Sequence, residues 1–211
     1  MSKLSENPTA SETAGRERQG PQFSPEQRKI LLGVAREAIA TGVADKPLEH
    51  GPQFSAAAAS KLWPLFLEPR GVFTTLYLGG ELRGCVGYPS AIRPLYQAVA
   101  ETARASAFED SRFWPVDAEE VPKLRISLSV LSPLFPIEVE QVEVGRHGLV
   151  ISDGLRRGLL LPQVPVEHGW GRETFLEQTC RKAGLPAGAW RKSVVIEAFT
   201  AEVFGDEEEP E

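Results

Sequence analysis

Residues 71–88 read GVFTTLYLGGELRGCVGY, and the reading of this stretch decides the fold. Val72 to Leu78 is rich in β-branched and aromatic side chains, which suit a pleated, half-buried surface. Gly79-Gly80 can adopt the positive φ angles of a tight turn, and Glu81 to Val86 returns. The stretch predicts a β-hairpin. Its second strand carries a thiol, Cys85, with Gly84 before it and Gly87 two residues after it.

The pattern continues outward from the hairpin. The loop GYPSAIRP leads into a predicted helix from Pro94 to Phe108, with Leu95, Val99, Thr102 and Ala103 on one face. LRISLSVLS (124–132) alternates apolar and polar residues as a half-buried strand does, and Pro133 and Pro136 end it. GLVISD (148–153) and GLLLP (158–162) bracket Gly154 as a second hairpin. QVPVEHGWGRETFLEQTCRKAGL (163–185) predicts one or two helices with Val164 and Val166 in the core, the last closed by Gly184. SVVIEAFTAEVF (193–204) predicts one final strand.

Upstream, Ser24, Pro25 and Gln27 form the N-cap, first-turn proline and capping box of a helix. Ile30, Leu31, Val34, Ala38 and Ile39 recur along it, and Gly42 is expected to end it. Prolines at 47, 52, 64 and 69 break the next region, where SAAAASKLW (55–63) predicts a short helix. Strands that cluster as hairpins, rather than alternating with helices, argue for an α+β fold with an antiparallel sheet. First and last elements that both read as core imply that the two ends of the body return to one lobe.

Bulk composition excludes more than it assigns. Five of the six excess negative charges sit in the tail GDEEEPE, at Asp206, Glu207, Glu208, Glu209 and Glu211. The body is therefore close to neutral. The first 22 residues lack an apolar h-region and read as a disordered leader; residues 205–211 read as a disordered acidic tail. No segment reads as a signal peptide or membrane span, so the expected location is the cytoplasm, with reduced thiols. Residues 146–192 hold eight Lys or Arg against four Asp or Glu, but without interleaved aromatics, so nucleic acid is not the expected partner. His50, His147 and His168 have no metal-ligand spacing, and there is no phosphate-binding glycine loop or iron–sulfur cysteine triplet. No cofactor or metal is expected.

Cys85 admits two readings. A free cysteine most often packs as a small hydrophobe, the reading that suits Cys180 on its amphipathic helix. Around Cys85, however, Gly84 and Gly87 remove side chains, as a close approach to backbone requires. Arg83 lies two residues away, on the same side of an extended strand, and a guanidinium beside a sulfur favours thiolate. Gln163 and Glu167, at a strand–helix junction, are further candidates for holding a polar ligand. His147, in GRHGL, reads as a structural turn residue.

LRGCVG closely resembles the LRGCIG signature of the AMMECR-type domain, also called AmmeMemoRadiSam system protein A. GVFTTLY, SAFEDSRFWPV, ISLSVLS, GRHGLVI, GLLLPQVPVE and CRKAGL resemble further blocks of that family in the same order, from about Ser24 to Phe204. The resemblance implies an AMMECR-type domain over residues 23–204 in two lobes: an antiparallel sheet flanked by helices, a smaller α/β lobe, and the cysteine motif facing a cleft between them. It also implies a pathway shared with a Memo-like protein and a radical S-adenosylmethionine enzyme. This chain lacks the cluster motif of the radical enzyme itself. The expected role is thus a pathway component with Cys85 as nucleophile or ligand-contacting thiol, assisted by Arg83, Gly84, Gly87, Gln163 and Glu167. The alternative is a non-catalytic binding or scaffold module for a peptide or protein partner.

Overall fold

The computed structural model describes residues 22–44, 64–192 and 194–206. The helix expected at 55–63, His50, most of the leader and the residues after Asp206 lie outside them. The described chain forms two compact units, one from Pro133–Ala201 and the other from Pro21–Ser132 joined by the chain from Glu202 onward.

The discontinuous unit opens with helix α1 (Pro25–Val43). The Ser24 hydroxyl accepts from the Gln27 N–H at 3.3 Å, and the Gln27 side chain accepts from the Ser24 N–H at 2.7 Å. This reciprocal box satisfies two donors that a helix start leaves unpaired. The helix does not stop at Gly42. It runs on to Val43, and a Cβ at Gly42 would lie 2.3 Å from the Phe108 ring, so this glycine admits an aromatic neighbour instead of ending the helix.

Strands β1 (Val72–Leu78) and β2 (Glu81–Tyr88) form the predicted hairpin around Gly79 (φ 58°) and Gly80 (φ 86°). Helix α2 (Leu95–Phe108) follows, then β3 (Arg125–Leu131). With β8 (Ala201–Gly205) they make a sheet in the order β2-β1-β3-β8, in which β1 pairs antiparallel with both β2 and β3. Val72, Thr74 and Leu76 of β1 are buried and alternate with half-buried Phe73, Thr75 and Tyr77. The buried face packs with Leu31, Ala35 and Ile39 of α1 and Leu95, Val99 and Ala103 of α2. Each of the larger aliphatics contributes about 1.5–3 kcal/mol through burial. Phe23, just before α1, and Phe204, in β8, are both buried, their rings 5.8 Å apart. Both ends of the described chain therefore return to this unit, as expected.

In the inserted unit, β4 (Phe135–Pro136), β5 (Gly148–Ser152), β6 (Arg157–Leu160) and β7 (Val195–Phe199) form an antiparallel sheet ordered β4-β7-β5-β6. Helices α3 (Gln163–Glu167) and α4 (Arg172–Lys182) accompany it. Helix α4 ends as predicted. Gly184 (φ 72°) donates to the Arg181 carbonyl and Leu185 to that of Cys180, both at 2.9 Å, which is a Schellman closure.

Three further sequence expectations are corrected. The strand expected at 193–204 is two strands, β7 and β8, belonging to different sheets and broken at Thr200. Pro136 is not merely a terminator: it lies in β4 opposite Glu197. Val166 is 60% exposed and Val164 half-buried, because the short α3 turns Pro165 inward instead. Among the described residues, no helix is long and apolar enough to cross a membrane.

Candidate functional site

The hairpin that carries Cys85 is irregular at one point. Leu76 stands opposite Gly84, but Tyr77 stands opposite Leu82, which leaves Arg83 as an extra residue in β2. This is a bulge, and bulges re-aim side chains. The Arg83 guanidinium is committed to the segment beyond α2. It donates to both Glu120 carboxylate oxygens at 2.9 Å and to the Trp114 carbonyl at 2.8 Å. The pair stabilises both charges: hydrogen bonding to Glu120 raises the Arg83 pKa, and hydrogen bonding to Arg83 lowers that of Glu120.

The guanidinium that does reach Cys85 is Arg112. Asp110 lies in the turn after α2, its side chain only 6% exposed, and accepts from the Cys85 N–H at 2.8 Å. Arg112 grips the same carboxylate through Nε at 2.9 Å and Nη2 at 2.6 Å, and donates to the Cys85 carbonyl at 3.4 Å. The Arg112 hydrogen bond, joined by backbone N–H groups of Cys85 and Arg112, holds the Asp110 carboxyl well below the usual carboxylate range against the opposing cost of burial. Arg112 is held more firmly protonated than usual, first by its hydrogen bond to Asp110 and also by the charge of that carboxylate. Asp110 thus fixes a half-exposed cation beside the thiol.

The sulfur itself is half-buried and accepts a hydrogen bond from Thr75 Oγ1 at 3.4 Å. Thr75 stands directly opposite Cys85 on one side and Ser127 on the other, so thiol and hydroxyls form a row across the face turned away from the core. Helix α2 holds the strands beneath. Ser106 Oγ accepts from the Val86 N–H at 2.9 Å and donates to the Thr74 carbonyl at 2.8 Å, and Thr102 and Thr74 hydroxyls meet at 2.8 Å.

The glycines are filled from within. A Cβ on Gly84 would lie 2.1 Å from the Ser106 carbonyl oxygen, and one on Gly87 would lie 2.1 Å from the Phe73 ring. Both therefore have a packing reason: α2 and Phe73 approach the strand there. Gln163 and Glu167 belong to the inserted unit, exposed on α3, whose N-cap Pro162 makes no side-chain bond. Of the residues singled out in the sequence, Arg83, Gly84, Cys85 and Gly87 share one strand. Asp110, Arg112, Thr75 and Ser106, which sequence reasoning did not select, complete the surroundings of the thiol.

The second cysteine behaves differently. Cys180 is fully buried in α4, and that burial pushes its thiol up. His147 is buried and its Nδ1 accepts from the Glu143 N–H at 3.0 Å. His168 is exposed and stacks on Trp170 at 4.6 Å. Among the described residues, no group of three or more His, Cys, Asp or Glu side chains is placed to hold a metal ion.

Comparison with known proteins supplies the family. A sequence model of the AMMECR1 family matches residues 32–204. A protein of Methanopyrus kandleri is 42% identical over 204 residues, covering 91% of this chain and 94% of its own length. One from Methanocaldococcus jannaschii is 46% identical over 156 residues, covering 69% and 77%. The crystal structure of an uncharacterised protein from Pyrococcus horikoshii matches with a TM-score of 0.67 at 38% identity, covering 88% of this chain and 94% of that one.

Proposed function

The chain belongs to the AMMECR1 family, and on that premise we propose that it works through the Cys85 thiol. In this reading Cys85 is the nucleophile or ligand-contacting group of a cytoplasmic modification or small-molecule pathway, shared with a Memo-like protein and a radical S-adenosylmethionine enzyme. The observation that carries the reading is the contrast between two thiols. Cys180 is sealed in a core, whereas Cys85 is half-buried beside a guanidinium fixed by a buried carboxylate. A guanidinium at that position can receive an anionic group of a substrate brought to the thiol. Resemblance to the family's signature blocks supports the pathway assignment.

Asp110 and Arg112 have a second task, since they satisfy the outward N–H and C=O of Cys85 on an edge strand. The experiment must therefore separate reactivity from folding. With limiting iodoacetamide at neutral pH, Cys85 reacts faster than a free cysteine and Cys180 stays unlabelled. Arg112→Ala lowers that rate and also the melting temperature, since it leaves the Asp110 carboxylate without its main partner, whereas Arg112→Lys, which keeps a cation there, recovers most of the rate. A Cys85 no more reactive than a free cysteine overturns the nucleophile. If Cys85→Ser leaves both pathway activity and partner binding intact, the non-catalytic scaffold reading replaces it.

A further inference from the structure

At the opposite edge of the same sheet lies a groove of about 920 Å³, lined by one face of α1 and by the end of β8. We infer that this groove binds an extended acidic peptide from a partner protein, which adds as a strand to β8.

The backbone supplies the first reason. Among the described residues β8 is an edge, with β3 on one side and no strand on the other. Asp206 donates its N–H to the Ile126 carbonyl of β3 at 3.0 Å. Ladder alternation then turns the N–H and C=O groups of Val203 and Gly205 away from β3, toward the open edge. Both residues line the groove, and Val203 is 65% exposed. An unpaired strand edge bounded by a helix is the geometry in which a peptide gains main-chain hydrogen bonds on one side and side-chain contacts on the other.

The wall formed by α1 supplies the second. Gly33 lies in the helix interior and lines the groove, and a Cβ there would meet nothing within 4 Å. Neither backbone conformation nor packing among the described residues requires glycine at this position, although glycine disfavours a helix. Its effect is to keep the wall low where an incoming main chain would pass.

Charge selects the occupant. Arg28, Lys29 and Arg36 all line the groove. Arg28 is paired with Glu202 at 2.9 Å and Arg36 with Asp206 at 2.6 Å, and both arginine side chains keep over a third of their surface exposed. Lys29 is exposed and has no ion pair among the described residues. The wall therefore retains a net positive charge. From Lys29 to Arg36 is about 11 Å along a helix, the length of about three residues of extended strand. Carboxylates two or four residues apart share one face of a strand at about 7 or 13 Å, which brackets that spacing within the reach of the long Lys29 and Arg36 side chains.

The test uses the full chain, fluorescein-labelled octapeptides and amide hydrogen exchange. An octapeptide alternating Glu and Val binds, and one alternating Lys and Val does not. Lys29→Glu weakens binding about tenfold, and Gly33→Leu, which raises the wall at a helix-compatible position, abolishes it. In the complex the Val203 and Gly205 amides exchange more slowly. Equal binding of the two peptides, no binding of either, or unchanged exchange at Val203 and Gly205 overturns the inference. Affinity that rises on removing residues 207–211 overturns it in favour of the chain's own tail. Self-association lost in Gly33→Leu overturns it in favour of a second copy.

Discussion

The two glycines that flank Cys85 look equivalent in the sequence and are not equivalent in the structure. Gly84 faces the backbone of α2, which cannot yield, whereas Gly87 faces the Phe73 ring, which can turn about its own torsions. Gly84→Ala is expected to destabilise the protein by about 1–3 kcal/mol, and Gly87→Ala by less, both measured by urea denaturation. Asp110 makes a second prediction at this scale. Its folded pKa lies below its unfolded value, so its contribution is present above about pH 4 and is lost as pH falls through the lower, folded value. Asp110→Asn should therefore lower stability at neutral pH and flatten the fall in melting temperature on acidification. Neither Asp110 nor Arg112 was selected from the sequence, although both lie in the block SAFEDSRFWPV. Nothing in strand periodicity links them to Cys85. The contact spans 25 residues and forms only because α2 ends beside the edge of β2. Arg83 fails the opposite way: alternation aims it at the thiol, but a bulge intervenes and Glu120 claims it.

Among elements, those closed by local chemistry were the most legible. The capping box of α1, the glycine turn of the first hairpin and the closure of α4 at Gly184 each depend on residues a few positions apart. What the pattern could not show is where an element changes partner. VIEAFTAEVF alternates without a glycine or proline to break it, so a continuous strand is the natural expectation. The break at Thr200 follows from membership of two sheets, which is a long-range property. Gly42 reads as a stop for the same kind of reason, because the Phe108 ring it accommodates lies on another helix. Gly33 offers the test at this scale. With ordinary helical backbone and open space at the Cβ position, Gly33→Ala should stabilise the protein by about 0.5–1 kcal/mol in thermal or urea unfolding.

At the scale of the whole molecule, the inserted unit leaves the sheet after β3 and the chain returns in β8, which is the hydrogen-bonded neighbour of β3. Each unit keeps its own core, around Leu76, Val99 and Ile126 in one and around Leu149, Phe175 and Ala198 in the other. Within the insert, β4 near its start pairs with β7 near its end, Phe135 opposite Ala198. The prediction is that residues 133–200 fold when expressed alone, read as dispersed amide resonances and a cooperative melt. An unfolded fragment would refute it.

The placement of β8 bears also on the order in which the protein is made. Synthesis runs from the N-terminus, and domains generally fold as their residues emerge. Helix α1, the hairpin and β3 leave the ribosome early, but their sheet lacks its edge and Phe23 lacks Phe204 until the last described strand arrives. The unit begun first is finished last, so the nascent chain must hold the thiol-bearing hairpin in an incomplete sheet while a whole second unit is translated.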